Sequence, residues 1–172
     1  YPSRDTWSHI VERPHLDART LGDTVSAMLA DIRRRGDEAV KEYVSRFQGA
    51  APETLEVSPR EMAEAEASVS DDLKEAIAVA RDNIARFHAS QAMTPRRVET
   101  APGVVCWQKA VPIERVGLYI PGGTAPLFST VLMLAVPAQV AGCREIVLCS
   151  PCAADGKVHP AVLYAARVAG VH

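Results

Sequence analysis

Apolar residues recur with a helical period through the first half of the chain and gather into short continuous runs in the second. Leu21, Val25, Met28, Leu29 and Ile32 fall on one helical face, which predicts a helix from about Thr20 that Gly36 ends. Asp37 caps a second helix carrying Ala39, Val40, Tyr43, Val44 and Phe47, and Gly49 stops it. Leu55-Glu56-Val57 alternates and reads as a small strand. Ser58-Pro59-Arg60-Glu61 then joins three start signals, Ser at the N-cap, Pro at N1 and Glu at N3, for a helix to about Ser68. Ser70-Asp71-Asp72 opens the next, whose Leu73, Ile77, Ala80, Ile84 and Phe87 step by four, three, four and three along one face.

From Pro95 the texture changes. Val104 to Ile113 and Val116 to Ile120 are β-rich runs parted by a turn at Glu114-Arg115. A helix is expected from about Leu127 to Ala141, with Gly142 releasing the chain. Glu145 to Cys149 is a continuous apolar run of the kind found in parallel strands buried on both faces. A loop from Ser150 to Val158 and a helix from His159-Pro160 to Ala169 follow. The expected fold class is therefore α/β: a helical N-terminal region plus an incomplete Rossmann-like parallel βαβα unit. The expected divisions are an N-terminal arm over 1–20, a mostly helical region over 21–103 and the α/β unit over 104–172. A glycine after the last helix announces a further strand, so the pattern reads as a truncated doubly wound sheet.

Composition narrows the function classes. Apolar residues make up 48% and charged residues 23%, ordinary values for a globular protein and unlike a disordered chain. The net charge of −2 leaves no electrostatic footprint for nucleic acid, and Arg33-Arg34-Arg35 suits the C-terminal dipole of its helix. The longest apolar stretch, Leu127 to Ala141, is broken by Ser129, Thr130, Pro137 and Gln139, so no membrane partner is expected. The opening Tyr1-Pro2-Ser3-Arg4-Asp5 lacks a basic-then-apolar signal pattern, and the expected compartment is the cytoplasm. Four cysteines, three of them within apolar runs, do not make a disulfide framework.

Local motifs do not assemble an acid, a base and a nucleophile. In Cys149-Ser150-Pro151-Cys152 the first thiol ends a strand, whereas a thioredoxin-like site needs it at a helix N-terminus. As a zinc half-site the pair lacks a second C-x-x-C. The five histidines show no metal-binding spacing; His159 precedes a helix-starting proline and His88 closes a helix. Neither a catalytic nor a metal-ligating residue is therefore named. The stretch VGLYIPGGTAPLFST, residues 116–130, keeps two readings. Strand, glycine turn and helix form the layout of a nucleotide site, with Gly122-Gly123 able to take positive φ, Thr124 placed to cap, Pro126 helping to start the helix, and Tyr119 at a strand's C-terminal end. The same residues suit a tight structural turn, because G-x-G-x-x-G and G-K-[ST] are both missing.

The segment RVGLYIPGGTAPLFSTVLMLAVPAQVAGCREIVLCSP resembles the signature region of the histidinol dehydrogenase family, and upstream RRRGDEAVKEYVSRFQG and ARDNIARFHASQ resemble its N-terminal helices. The resemblance covers nearly the whole chain. It implies NAD- and zinc-dependent oxidation of L-histidinol through the aldehyde to L-histidine, in an intertwined homodimer with incomplete Rossmann-like domains. It places Tyr119 against NAD, with Pro121 and Pro151 lining the dinucleotide. The family's zinc ligands, its Glu-His base pair and most of its histidinol contacts belong to sequence beyond residue 172, so the chain by itself is expected to be catalytically silent. Where the family has a second proline after LCSP, this chain has Cys152, which weakens any redox role for that thiol. The competing expectation is a non-catalytic α/β module that self-associates or binds a nucleotide weakly.

Overall fold

The computed structural model describes residues 1–13, 18–49, 52–122 and 125–171. The chain forms two compact units, Tyr1–Tyr43 and Val44–His172.

In the first unit a short turn, Arg4–Thr6, leads into α1 (Trp7–Ile10), followed by α2 (Ala18–Arg35) and the start of α3 (Asp37–Gln48). Gly36, at φ +61, joins α2 to α3 in a left-handed conformation that a side chain rarely adopts. Asp31 ties the joint together. It accepts hydrogen bonds from Arg34 at 2.6 Å, from Arg35 at 2.6 Å and from the Tyr43 hydroxyl at 3.2 Å, while Arg35 also donates to Glu42 at 2.8 Å. The Arg35 hydrogen bond, above all, holds the Asp31 carboxyl down at about 2. Two of the three arginines expected to serve the helix dipole are thus engaged with a specific carboxylate.

The second unit opens with helices whose starts were written in their first residues. α4 (Pro59–Ser68) begins with the capping box: the Ser58 hydroxyl accepts the Glu61 N–H at 3.2 Å, and the Ser58 N–H donates to the Glu61 carboxylate at 2.8 Å. α5 (Asp71–Ala89) is capped by Ser70, whose hydroxyl accepts the Leu73 N–H. Its Ile77 is buried, and Leu73, Ala80 and Ile84 pack against the same core. Phe87, expected on that face, lies 62% exposed and meets the His88 ring edge-on.

Two small sheets follow. β1 (Arg97–Ala101) and β2 (Val104–Trp107) form an antiparallel hairpin around Pro102-Gly103, with Gly103 at φ +80. Only β2 was foreseen. β1 escaped notice because all of its residues are exposed, so its side chains show no apolar alternation. The run expected to stay extended to Ile113 leaves the ladder after Trp107, and Leu55–Val57 is irregular, having no strand beside it.

β3 (Arg115–Tyr119) and β4 (Glu145–Cys149) pair in parallel, joined through α6 (Phe128–Ala141) and followed by α7 (Pro160–Val168). This is the expected α/β order of strand, helix, strand, helix. Val131, Leu132, Ala135 and Val136 of α6, Ile146 of β4, and Val162, Ala165 and Ala166 of α7 form the core with Ile77 and Ile120. Gly142, at φ +89, closes α6, with the Cys143 N–H reaching back to the Ala138 carbonyl at 3.1 Å. The His159 imidazole caps α7 by accepting the Ala161 N–H at 3.2 Å, ahead of Pro160.

One expectation about this layer is corrected. β4 is covered on one face only. Ile146 is buried, but Val147 and Cys149 are exposed, because alternation sends them to the side of the sheet away from the core helices.

Candidate functional site at the ends of the parallel strands

Tyr119 is the last residue of β3 and stands level with Cys149, the last residue of β4. Alternation places Val116, Leu118 and Ile120 toward the helices, and Gly117 and Tyr119 on the open face. The Tyr119 ring is accordingly 63% exposed, an aromatic body with a phenolic donor and no burial to account for it. Its neighbour Ile120 is 1% exposed and donates its N–H to the Cys149 carbonyl at 2.9 Å, so the strand is anchored immediately beside the exposed ring.

Beyond this point both strands turn into loops. Pro121 and Gly122 are exposed, and Pro151 is half-buried against Gly122. Tyr119, Pro121 and Pro151, singled out from the resemblance, therefore gather at the carboxyl end of one parallel pair, where open α/β sheets take ligands. Gly122 has no positive φ; the space beside Pro151, not a left-handed turn, is what its missing side chain supplies. Gly123 and Thr124, and with them the expected cap, lie outside the described residues. α6 instead has Leu127 at its N-cap, with no side-chain hydrogen bond, and Pro126 precedes the helix without entering it.

The charged pairs of this sheet lie at the opposite end. Arg115 meets Glu145 at 2.9 Å, and Arg144 approaches Glu114 at 4.0 Å. The carboxyl end presents a phenol, a thiol and two pyrrolidine rings, groups suited to lying against a flat ring system and not to moving protons.

The remaining candidates fall into structural roles. Cys149 is followed by a loop, since α7 begins only at Pro160, so the helix dipole a redox thiol needs is elsewhere. The Cys152 thiol donates to the Gln48 side-chain carbonyl at 3.3 Å, and Gly156 abuts Pro52, which fastens the loop after β4 to the end of α3. His159 is occupied as a cap, and His9 is an exposed neighbour of Glu12. His15 and His172 lie outside the described residues. Among the described residues no group of three or more His, Cys, Asp or Glu fits a metal ion, and no helix is long and apolar enough to cross a membrane.

A sequence model of the histidinol dehydrogenase family matches residues 11–172. The chain belongs to the histidinol dehydrogenase family. It is 54% identical over 171 residues to the histidinol dehydrogenase of Bacteroides thetaiotaomicron, covering 99% of this chain and 40% of that protein. It is 48% identical over 163 residues to that of Salmonella typhi, covering 94% and 37%. The crystal structure of histidinol dehydrogenase from Elizabethkingia anophelis superposes with a TM-score of 0.91 at 45% identity, over 99% of this chain and 39% of that one. The chain thus spans about 40% of the length of the curated relatives it matches. The family is one of oxidoreductases, and the α/β fold is shared with it.

The register also aligns the two prolines. Laid on one another as β3 and β4 pair, Arg115-Val-Gly-Leu-Tyr119 and Glu145-Ile-Val-Leu-Cys149 each reach a proline two residues further on, Pro121 and Pro151. Comparing the two strand sequences would have found both the pairing and the matched prolines.

Proposed function

We propose that this chain forms the NAD-side wall of a histidinol dehydrogenase, the enzyme that oxidises L-histidinol through the aldehyde to L-histidine with two NAD at the end of histidine biosynthesis. One observation carries the reading: in a chain of this family, an exposed tyrosine ends a parallel strand beside a proline-lined loop from its neighbour. On this reading the Tyr119 ring lies against the dinucleotide, its hydroxyl orients a polar group of it, and Pro121 and Pro151 line the same groove. NAD, when bound, takes up hydride from the substrate. The residues at hand bind and orient; none of them is assigned the proton transfer. Zinc belongs, by the same reading, to ligands outside this chain, and no step is derived through it. The segment by itself is catalytically silent. The complete enzyme is a cytoplasmic homodimer that acts without nucleic acid or membrane, a reading to which the exposed apolar faces of α2 and of the hairpin lend support.

Kinetics of a full-length histidinol dehydrogenase carrying this segment test the proposal. Tyr119→Ala should raise the KM for NAD by about tenfold, the equivalent of roughly 1.4 kcal/mol of lost aromatic contact. The KM for L-histidinol should move less. Unchanged NAD kinetics would remove Tyr119 from the cofactor site.

A further inference from the structure

Both strands of the parallel pair run into a proline. Tyr119 is paired with Cys149, and the Ile120 N–H makes the last backbone bond to the Cys149 carbonyl at 2.9 Å. Two residues beyond that pair stand Pro121 on one strand and Pro151 on the other; the next bond of the ladder would come from an N–H at position 151, which the proline there lacks. Past the ladder, the two strand ends meet through Gly122 and Pro151. A Cβ added at Gly122 would lie 3.1 Å from Pro151 Cγ, closer than carbon atoms ordinarily settle, and 3.4 Å from Pro151 Cβ. Because Gly122 has no positive φ, its backbone would accept another residue, and the close approach alone calls for glycine.

We infer that Gly122 is a positioning residue of the dinucleotide site and that it acts through Pro151. Its bare Cα lets the pyrrolidine ring sit against the β3 loop, and this contact sets the gap between the strand ends beside Tyr119. The inference rests on the reading that Tyr119 faces NAD. The Pro151 ring is closed onto its own backbone, so it cannot swing aside as a flexible side chain would. An added methyl group must shift it by a few tenths of an ångström and widen the gap.

Calorimetric titration with NAD, in a full-length enzyme carrying this segment, tests the contact as a double-mutant cycle. Gly122→Ala should weaken NAD binding by a few-fold, since Pro151 must give by a few tenths of an ångström. Gly122→Val should weaken it further. In the Pro151→Ala background the Cγ atom that the new methyl group would meet is gone, so Gly122→Ala should have little additional effect. Its thermal midpoint without NAD and its KM for L-histidinol should stay close to those of the unaltered protein. Additive effects of the two substitutions, or an equal loss for both substrates, would overturn the inference. Tyr119→Ala in the same titration separates the two ideas. If it weakens NAD binding while Gly122→Ala does not, the positioning role falls and the cofactor reading stands. If it leaves NAD binding unchanged while Gly122 and Pro151 remain coupled, the role of Tyr119 falls and the contact stands.

Discussion

Two amphipathic helices with the same kind of apolar stripe end in opposite situations. In α5, Leu73, Ile77, Ala80 and Ile84 are gathered into the core with α6 and α7. In α2, Leu21 is 62% and Leu29 57% exposed, and Val25 is exposed with them. The two sheets repeat the contrast. β3 and β4 have one face closed by helices, whereas Val98, Val104, Val105 and Trp107 of the hairpin are all exposed. Periodicity therefore identifies the helix and the face it offers, but not whether this chain supplies the cover. The chain spans about 40% of the length of its curated relatives.

The contrast is sharpest in the response to truncation. Ile77→Ala should destabilise the second unit by about 2–4 kcal/mol, since a fully enclosed side chain leaves a cavity behind. Leu29→Ala, on the exposed face of α2, should change stability by no more than about 0.5 kcal/mol in the isolated chain. Chemical denaturation of the two variants checks the pair. Equal effects would mean that the α2 face is covered after all.

A smaller effect, in the first unit, depends on pH. The Asp31 carboxyl, held by Arg35, stays ionised down to about 2, against an ordinary value of 3.8. Its contribution to the α2–α3 joint is thus fully present above pH 3.8 and is lost as pH falls through about 2. Amide-exchange protection of the Tyr1–Tyr43 unit, taken relative to the intrinsic rate at each pH, should fall across that window, and Asp31→Asn should weaken the dependence. Being only half-buried, the interaction should also weaken in high salt.

Legibility in the sequence followed the locality of the cause. The capping box of α4, the glycine end of α6 and the His159-Pro160 start of α7 depend on residues within a turn of each other, and each stood where its local signals placed it. β1 was missed because a strand exposed on both faces leaves no alternation to read, although Pro102-Gly103 marked its turn. The open face of β4 was missed because Ile146-Val147-Leu148 reads the same whether one face is covered or two. At the proposed site, Tyr119, Pro121 and Pro151 come from the family resemblance and stand together at the ends of the parallel strands. The close approach of Gly122 to Pro151 is not legible in the sequence, since Pro151 lies far along the chain and comes near only once the strands are in register.

The most direct test of the central claim is hydrogen exchange on a full-length enzyme carrying this segment, with and without NAD. The account expects NAD to slow exchange in peptides spanning residues 116–122 and 147–152, and to leave the hairpin at residues 97–107 unchanged. Protection confined to other parts of the enzyme, with both strand ends exchanging as before, would contradict it.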